Sequence, residues 1–92
     1  MHMYPKVNVI RKILIKHDPA GVITDENSLD EYDAEIHEII GLLRQDLSLK
    51  DLSEGIHKVF VEYFNEDIAG DQSKYEDIAA ELLGAIAEVE IL

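Results

Sequence analysis

The stretch Ser28 to Gln45, SLDEYDAEIHEIIGLLRQ, constrains this chain most. Leu29, Tyr32, Ile36, Ile39, Ile40, Leu43 and Leu47 recur at steps of three and four, which places them on one stripe of a 3.6-residue helix. Ser28 with Glu31 has the spacing of a capping box, in which each side chain satisfies a backbone N–H the helix leaves orphaned. A stripe of this length must be buried against other elements. The same signal recurs downstream. Ser48 with Asp51, flanked by Leu47 and Leu52 as a hydrophobic staple, opens a run in which Leu49, Leu52, Ile56, Val59, Phe60, Tyr63 and Phe64 cover a wide arc. That arc predicts the most buried helix, and Gly55 within it predicts a close helix crossing. Ser73 with Glu76 opens the last run, whose stripe is Tyr75, Ile78, Ala79, Leu82, Leu83, Ile86 and Val89.

The opening segment can be read two ways. Val7, Ile10, Ile13 and Leu14 form a helical stripe after Pro5, a residue suited to the first helical position. Val7-Asn8-Val9 and Lys12 to Lys16 also alternate and are rich in β-branched residues. Its length and helical neighbours favour a helix. His17-Asp18-Pro19 ends it, because proline disfavours the helical region for the residue before it. Gly21 and the polar run Asp25-Glu26-Asn27 then mark a long connection, with Val22 and Ile23 tucked back on the core. The expectation is an all-α, compact four-helix domain, with helices at about 5–16, 29–46, 49–65 and 74–90, and 1–92 as one domain.

Charge is unevenly distributed. The net charge is −12, yet Lys6, Arg11, Lys12 and Lys16 stand in the first seventeen residues with no acid among them. The rest of the chain holds four bases against twenty acids, a balance of −16. Such a surface repels nucleic acid and anionic membranes and steers cationic partners, and the basic opening helix is placed to dock on acidic neighbours. Cysteine is absent, which excludes disulfides and thiolate metal sites and fits a reducing compartment. No apolar run approaches the ~20 residues that span a bilayer, and the N-terminus lacks a signal peptide's apolar core. A cytoplasmic location is expected.

Few residues point to chemistry. On the second helix the acids fall on two shoulders of the apolar stripe, Asp33 with His37 on one and Glu31, Glu35 and Glu38 on the other. Asp33 and His37, four residues apart, can supply two ligands for a divalent metal, with a third from Asp18, Asp25 or another helix, or else form an ion pair on a solvated face. His37-Glu38-Ile39-Ile40-Gly41 starts like a zinc-protease helix, but Gly41 replaces the second histidine. Asp25 to Ile36 fails as a calcium loop, having Asp30 where a glycine belongs and no closing glutamate. Glu31, Glu35 and Glu38 read as exposed acids complementing the helix dipole rather than as an acid–base pair. Tyr4, Tyr32, Tyr63 and Tyr75 read as core, with Tyr63, Phe60 and Phe64 open to an alternative reading as a surface aromatic patch.

His17-Asp18-Pro19, followed after a dozen residues by Tyr32-Asp33-Ala34-Glu35-Ile36, resembles the signature of the YugE-like family of small helical bacterial proteins of unknown function. In that pattern a Trp-Asp-Pro and a short loop precede Tyr-Asp-x-Glu-Ile inside a helix. Asp18, Pro19, Tyr32, Asp33, Glu35 and Ile36 match it, and His17 stands in place of the tryptophan. The resemblance covers about the first half of the chain and implies a compact helical fold with no known activity. Physically, Asp18 can accept hydrogen bonds in the loop with the Tyr32 hydroxyl reaching it, a loop clasp.

The function expected is a non-enzymatic interaction or regulatory module whose partner is a basic protein or a second copy, with no nucleic acid, no membrane and no cofactor. The alternative is divalent-metal or small-ligand binding at the loop and helix-two edge. The candidate binding residues are Asp18, Tyr32, Asp33, Glu35 and His37, and no catalytic residue is assigned.

Overall fold

The computed structural model describes residues 3–23 and 31–91, with side chains described for 7–23 and 31–86. Five helices follow in order: α1 (Met3–His17), α2 (Asp33–Leu43), α3 (Leu49–Tyr63), the single turn α4 (Glu66–Ala69) and α5 (Lys74–Ile91). The chain is all-helical, with no strand among the described residues. The alternation in the opening segment is therefore overridden. Ile10 and Leu14 are fully buried, Val7 and Ile13 partly so, as a helix requires and a strand forbids. No described helix is long and apolar enough to cross a membrane.

α5 lies between α1 and α3, while α2 packs on α3 and on α1. The core is built from Ile10 and Leu14 of α1, Tyr32 and Ile36, Ile39 and Ile40 of α2, Leu52, Ile56 and Phe60 of α3, and Tyr75, Ile78, Ala79, Leu82 and Ile86 around α5. Aromatic rings bind the middle together. Phe60 contacts Tyr32, Phe64 and Tyr75 at ring separations of 5.5, 5.9 and 5.4 Å, within the range where tilted and offset pairs add to area burial. At Gly55 of α3 an added Cβ would sit 3.0 Å from both methyls of Leu42 on α2, so the expected close crossing is present.

Helix boundaries differ from expectation where tertiary contacts intervene. α2 is shorter than 29–46: Tyr32, with φ −102 and ψ 12, stands at its N-cap, and no side chain caps it. Glu31 lies in the preceding turn, and the expected cap at Ser28 falls outside the described residues, as does Leu29. The helix ends at Leu43 because the chain tightens into i to i+3 bonds, Gln45 N–H to Leu42 and Asp46 N–H to Leu43, and turns left-handed at Asp46, φ +56. The Ser48 cap is as expected, its hydroxyl accepting from Asp51 N–H at 3.1 Å. The Ser73 cap is not. There Asp71 accepts from both the Ser73 N–H and hydroxyl, leading the chain into α5.

α3 stops at Tyr63 rather than 65 because Asn65 caps α4, its side chain accepting from Ile68 N–H at 2.8 Å. The connection from Asn65 to Asp71 thus contains a helical turn that four residues are too few to announce. The arc of α3 is also narrower than expected. Leu49 and Tyr63 are each 45 % exposed, leaving Leu52, Ser53, Ile56 and Phe60 as its buried face. On α5, Leu83 is exposed, and the Val89 side chain lies outside the described residues.

Candidate functional site

The end of α1 and the start of α2 meet at a clasp. Asp18 takes a left-handed conformation, φ +43, which aspartate tolerates better than most residues. That turn reverses the chain after α1, with Asp18 N–H bonded to Leu14 and Gly21 N–H to Asp18. Its carboxylate then points into the loop and accepts from Val22 N–H at 3.0 Å, Ile23 N–H at 3.2 Å and the Tyr32 hydroxyl at 2.6 Å. The Tyr32 oxygen in turn accepts from Ala20 N–H at 3.1 Å. Burial, reinforced by the Asp18 hydrogen bond, holds the Tyr32 hydroxyl well above its ordinary pKa, so it stays a donor. Lys74 of α5 adds a bond to the Pro19 carbonyl at 2.6 Å. Every group here has a partner, and Asp18 and Tyr32 are used up in holding the loop.

Asp33 faces α1. Its Oδ1 accepts from Arg11 Nη2 at 2.9 Å and Nε at 3.3 Å. His37 is exposed. The structure thus directs Asp18, Asp33 and His37 to three different tasks, and no group of three or more metal-ligating side chains occurs among the described residues. On the far side of α1, Lys16 reaches Glu81 of α5 at 2.7 Å and His17 also bonds the Glu81 carboxylate. Those hydrogen bonds, Lys16 first, hold Glu81 below the usual carboxylate range. The basic opening helix docks on acidic neighbours at both of its flanks.

Glu35 departs furthest from expectation. It is not an exposed helix-start acid but 3 % exposed, on the inward face of α2 between Tyr32 and Ile39. Its Oε2 has no hydrogen-bond partner among the described residues. Loss of solvent, with smaller contributions from Asp33 and Glu31, raises its pKa. The start of α2 lies against the C-terminal end of α3, where the Tyr32 ring meets Phe60 and Phe64. Partial desolvation and the negative charge of Glu38, Glu35 and Glu62 raise the Tyr63 hydroxyl's pKa as well. The helical wheel groups Glu31, Glu35 and Glu38 on one shoulder but does not indicate that Glu38 and Glu35 act on Tyr63. The surface patch of Tyr63, Phe60 and Phe64 does not exist as such: Phe60 is buried, Phe64 half-buried, and Tyr63 alone is exposed.

No family model matches this chain, and neither a curated protein nor a solved structure matches it.

Proposed function

We propose that this chain is a non-enzymatic interaction or regulatory module of the cytoplasm whose partner is a basic protein. One observation carries the reading: the disposition of charge. Arg11 and Lys16 of α1 are spent on Asp33 and Glu81 inside the molecule, while Glu31, Glu38, Glu54, Glu62, Glu66, Asp67, Glu76 and Asp77 are exposed and none of them forms an ion pair among the described residues. In a chain whose net charge is −12, these unpaired acids face outward, a field that accelerates encounter with cations and repels nucleic acid and anionic membranes. The four-helix domain supplies a rigid carrier for it. The resemblance to YugE-like proteins, on Asp18, Pro19, Tyr32, Asp33, Glu35 and Ile36, agrees with a helical fold of this kind and adds no activity. Metal binding at the loop and helix-two edge gains no support from Asp18, whose carboxylate holds the loop, or from Asp33, whose Oδ1 is paired with Arg11.

The test is affinity capture at low salt, followed by binding of the purified partner across a salt series. A cationic partner whose association constant falls steeply with ionic strength supports the reading. An acidic or neutral partner, or salt-insensitive binding, overturns it.

A further inference from the structure

We propose that the groove along α3, floored by Leu47 and Val61 and edged by Asp51, Glu54 and Glu66, receives a short cationic segment of the basic partner. This rests on the reading of the chain as a binder of basic protein and names where that binding is centred. The groove has a volume of about 630 Å³, within the ~300–1,000 Å³ typical of pockets that take a ligand. Separate stretches of chain build it: the turn before α3 supplies Leu47, α3 supplies Asp51, Glu54 and Val61, and α4 supplies Glu66. Its walls are fixed before any partner arrives. Ser48 caps α3 by accepting from Asp51 N–H at 3.1 Å. His57, which also lines the groove, donates from Nε2 to the Gly70 carbonyl at 2.9 Å and so ties the turn after α4 to α3. Walls held in this way lower the ordering cost of binding.

Charge selects the occupant. The lining sets three carboxylates against one ammonium, that of Lys58. All four are exposed, and none of them forms an ion pair among the described residues. Leu47 and Val61, by contrast, are half-buried and pack on the core. An apolar floor with an acidic edge matches a segment that pairs an apolar side chain with basic ones. A lysine or arginine stem can lie on the floor while its charged head meets the edge in water. An anionic segment would face the carboxylates, and a wholly polar cation would leave the floor wet.

The probe, used with the full chain, is a nonapeptide of glycine and serine with lysine–leucine–lysine at its centre. Beside it stand peptides with glutamine–leucine–glutamine and lysine–serine–lysine there. The readouts are the methyl resonances of Leu47 and Val61. The first peptide should shift both saturably and the other two neither. Glu54→Gln with Glu66→Gln, both at exposed positions, should weaken binding about fivefold. Glu31→Gln with Glu38→Gln, outside the groove, removes the same charge and should change it less than about twofold. Lys58→Gln should tighten binding about threefold, and Lys12→Gln on α1 by less than about 1.5-fold. Equal effects inside and outside the groove would show that charge acts diffusely; the site then falls while the basic-partner reading stands. Concentration-dependent shifts of these methyls without peptide would make the groove a contact between copies of the chain. Tighter binding of spermidine than of the peptide would make it a polyamine site. Either result overturns the proposal. Absence of any salt-dependent basic partner in the capture experiment instead removes the underlying reading.

Discussion

The Tyr32 hydroxyl donates to Asp18 Oδ1 at 2.6 Å across fourteen residues of chain, joining the end of α1 to the start of α2. Because the same hydroxyl oxygen accepts from Ala20 N–H, Tyr32→Phe leaves that N–H without its partner and takes from the Asp18 carboxylate one of its three donors. The expected cost is about 1.5–3 kcal/mol, the range for hydrogen bonds to charged groups. Urea denaturation measures it, and a loss under about 0.5 kcal/mol would mean that the ring's burial alone holds the loop.

Glu35→Met should stabilise the protein at neutral pH by about 1–3 kcal/mol, since it removes a buried acceptor with no partner and fills similar volume. The sign with pH follows from the raised pKa of Glu35 in the fold. A carboxyl that holds its proton more tightly when folded contributes fully below its unfolded pKa and loses that contribution as pH rises through the folded value. Wild-type stability should therefore decline over that window and the variant's should not. Thermal melts from pH 4 to 8 compare them. Glu81 contributes with the opposite sign: its lowered pKa means support present at neutral pH and lost on acidification.

Glycines in the helices separate by what surrounds them. A Cβ at Gly41 or Gly84 would meet nothing within 4 Å. Alanine at either should stabilise by about 0.5–1 kcal/mol, through helix propensity alone. Gly55→Ala places its methyl against Leu42 at 3.0 Å, so the propensity gain is offset and the melting temperature should rise less than for the other two. The reverse order would place α2 farther from α3 than described.

Arg11 and Asp33 form a pair whose side chains are 31 % and 45 % exposed. A double-mutant cycle with Arg11→Met and Asp33→Asn should give a coupling of about 0.2–1 kcal/mol, shrinking as salt is added. A coupling several times larger would identify this contact, rather than the apolar stripes, as what fixes α1 on α2.

The four long helices were legible because each carries a repeat of three and four apolar steps, and such a repeat survives any tertiary arrangement. Their ends were less so. Tyr32 stands at the N-cap of α2 rather than inside the helix, and Asn65 serves α4 rather than extending α3. The Asp18–Tyr32 clasp could be anticipated from an aspartate in a proline turn and a tyrosine entering the next helix. Glu35 could not. A helical wheel gives the angle of a side chain but not which neighbour covers that angle, and a glutamate at the margin of an apolar stripe is buried or exposed according to the partner helix alone.

The basic opening helix acts as the molecule's own counter-ion. It is supplied covalently, and unlike a dissolved salt its local concentration does not fall on dilution. A copy of the chain beginning after His17 would carry four positive side chains against twenty negative ones and would lose Ile10 and Leu14 from its interior. Such a fragment would behave as a polyanion, swollen in dilute buffer and contracting as electrolyte is added.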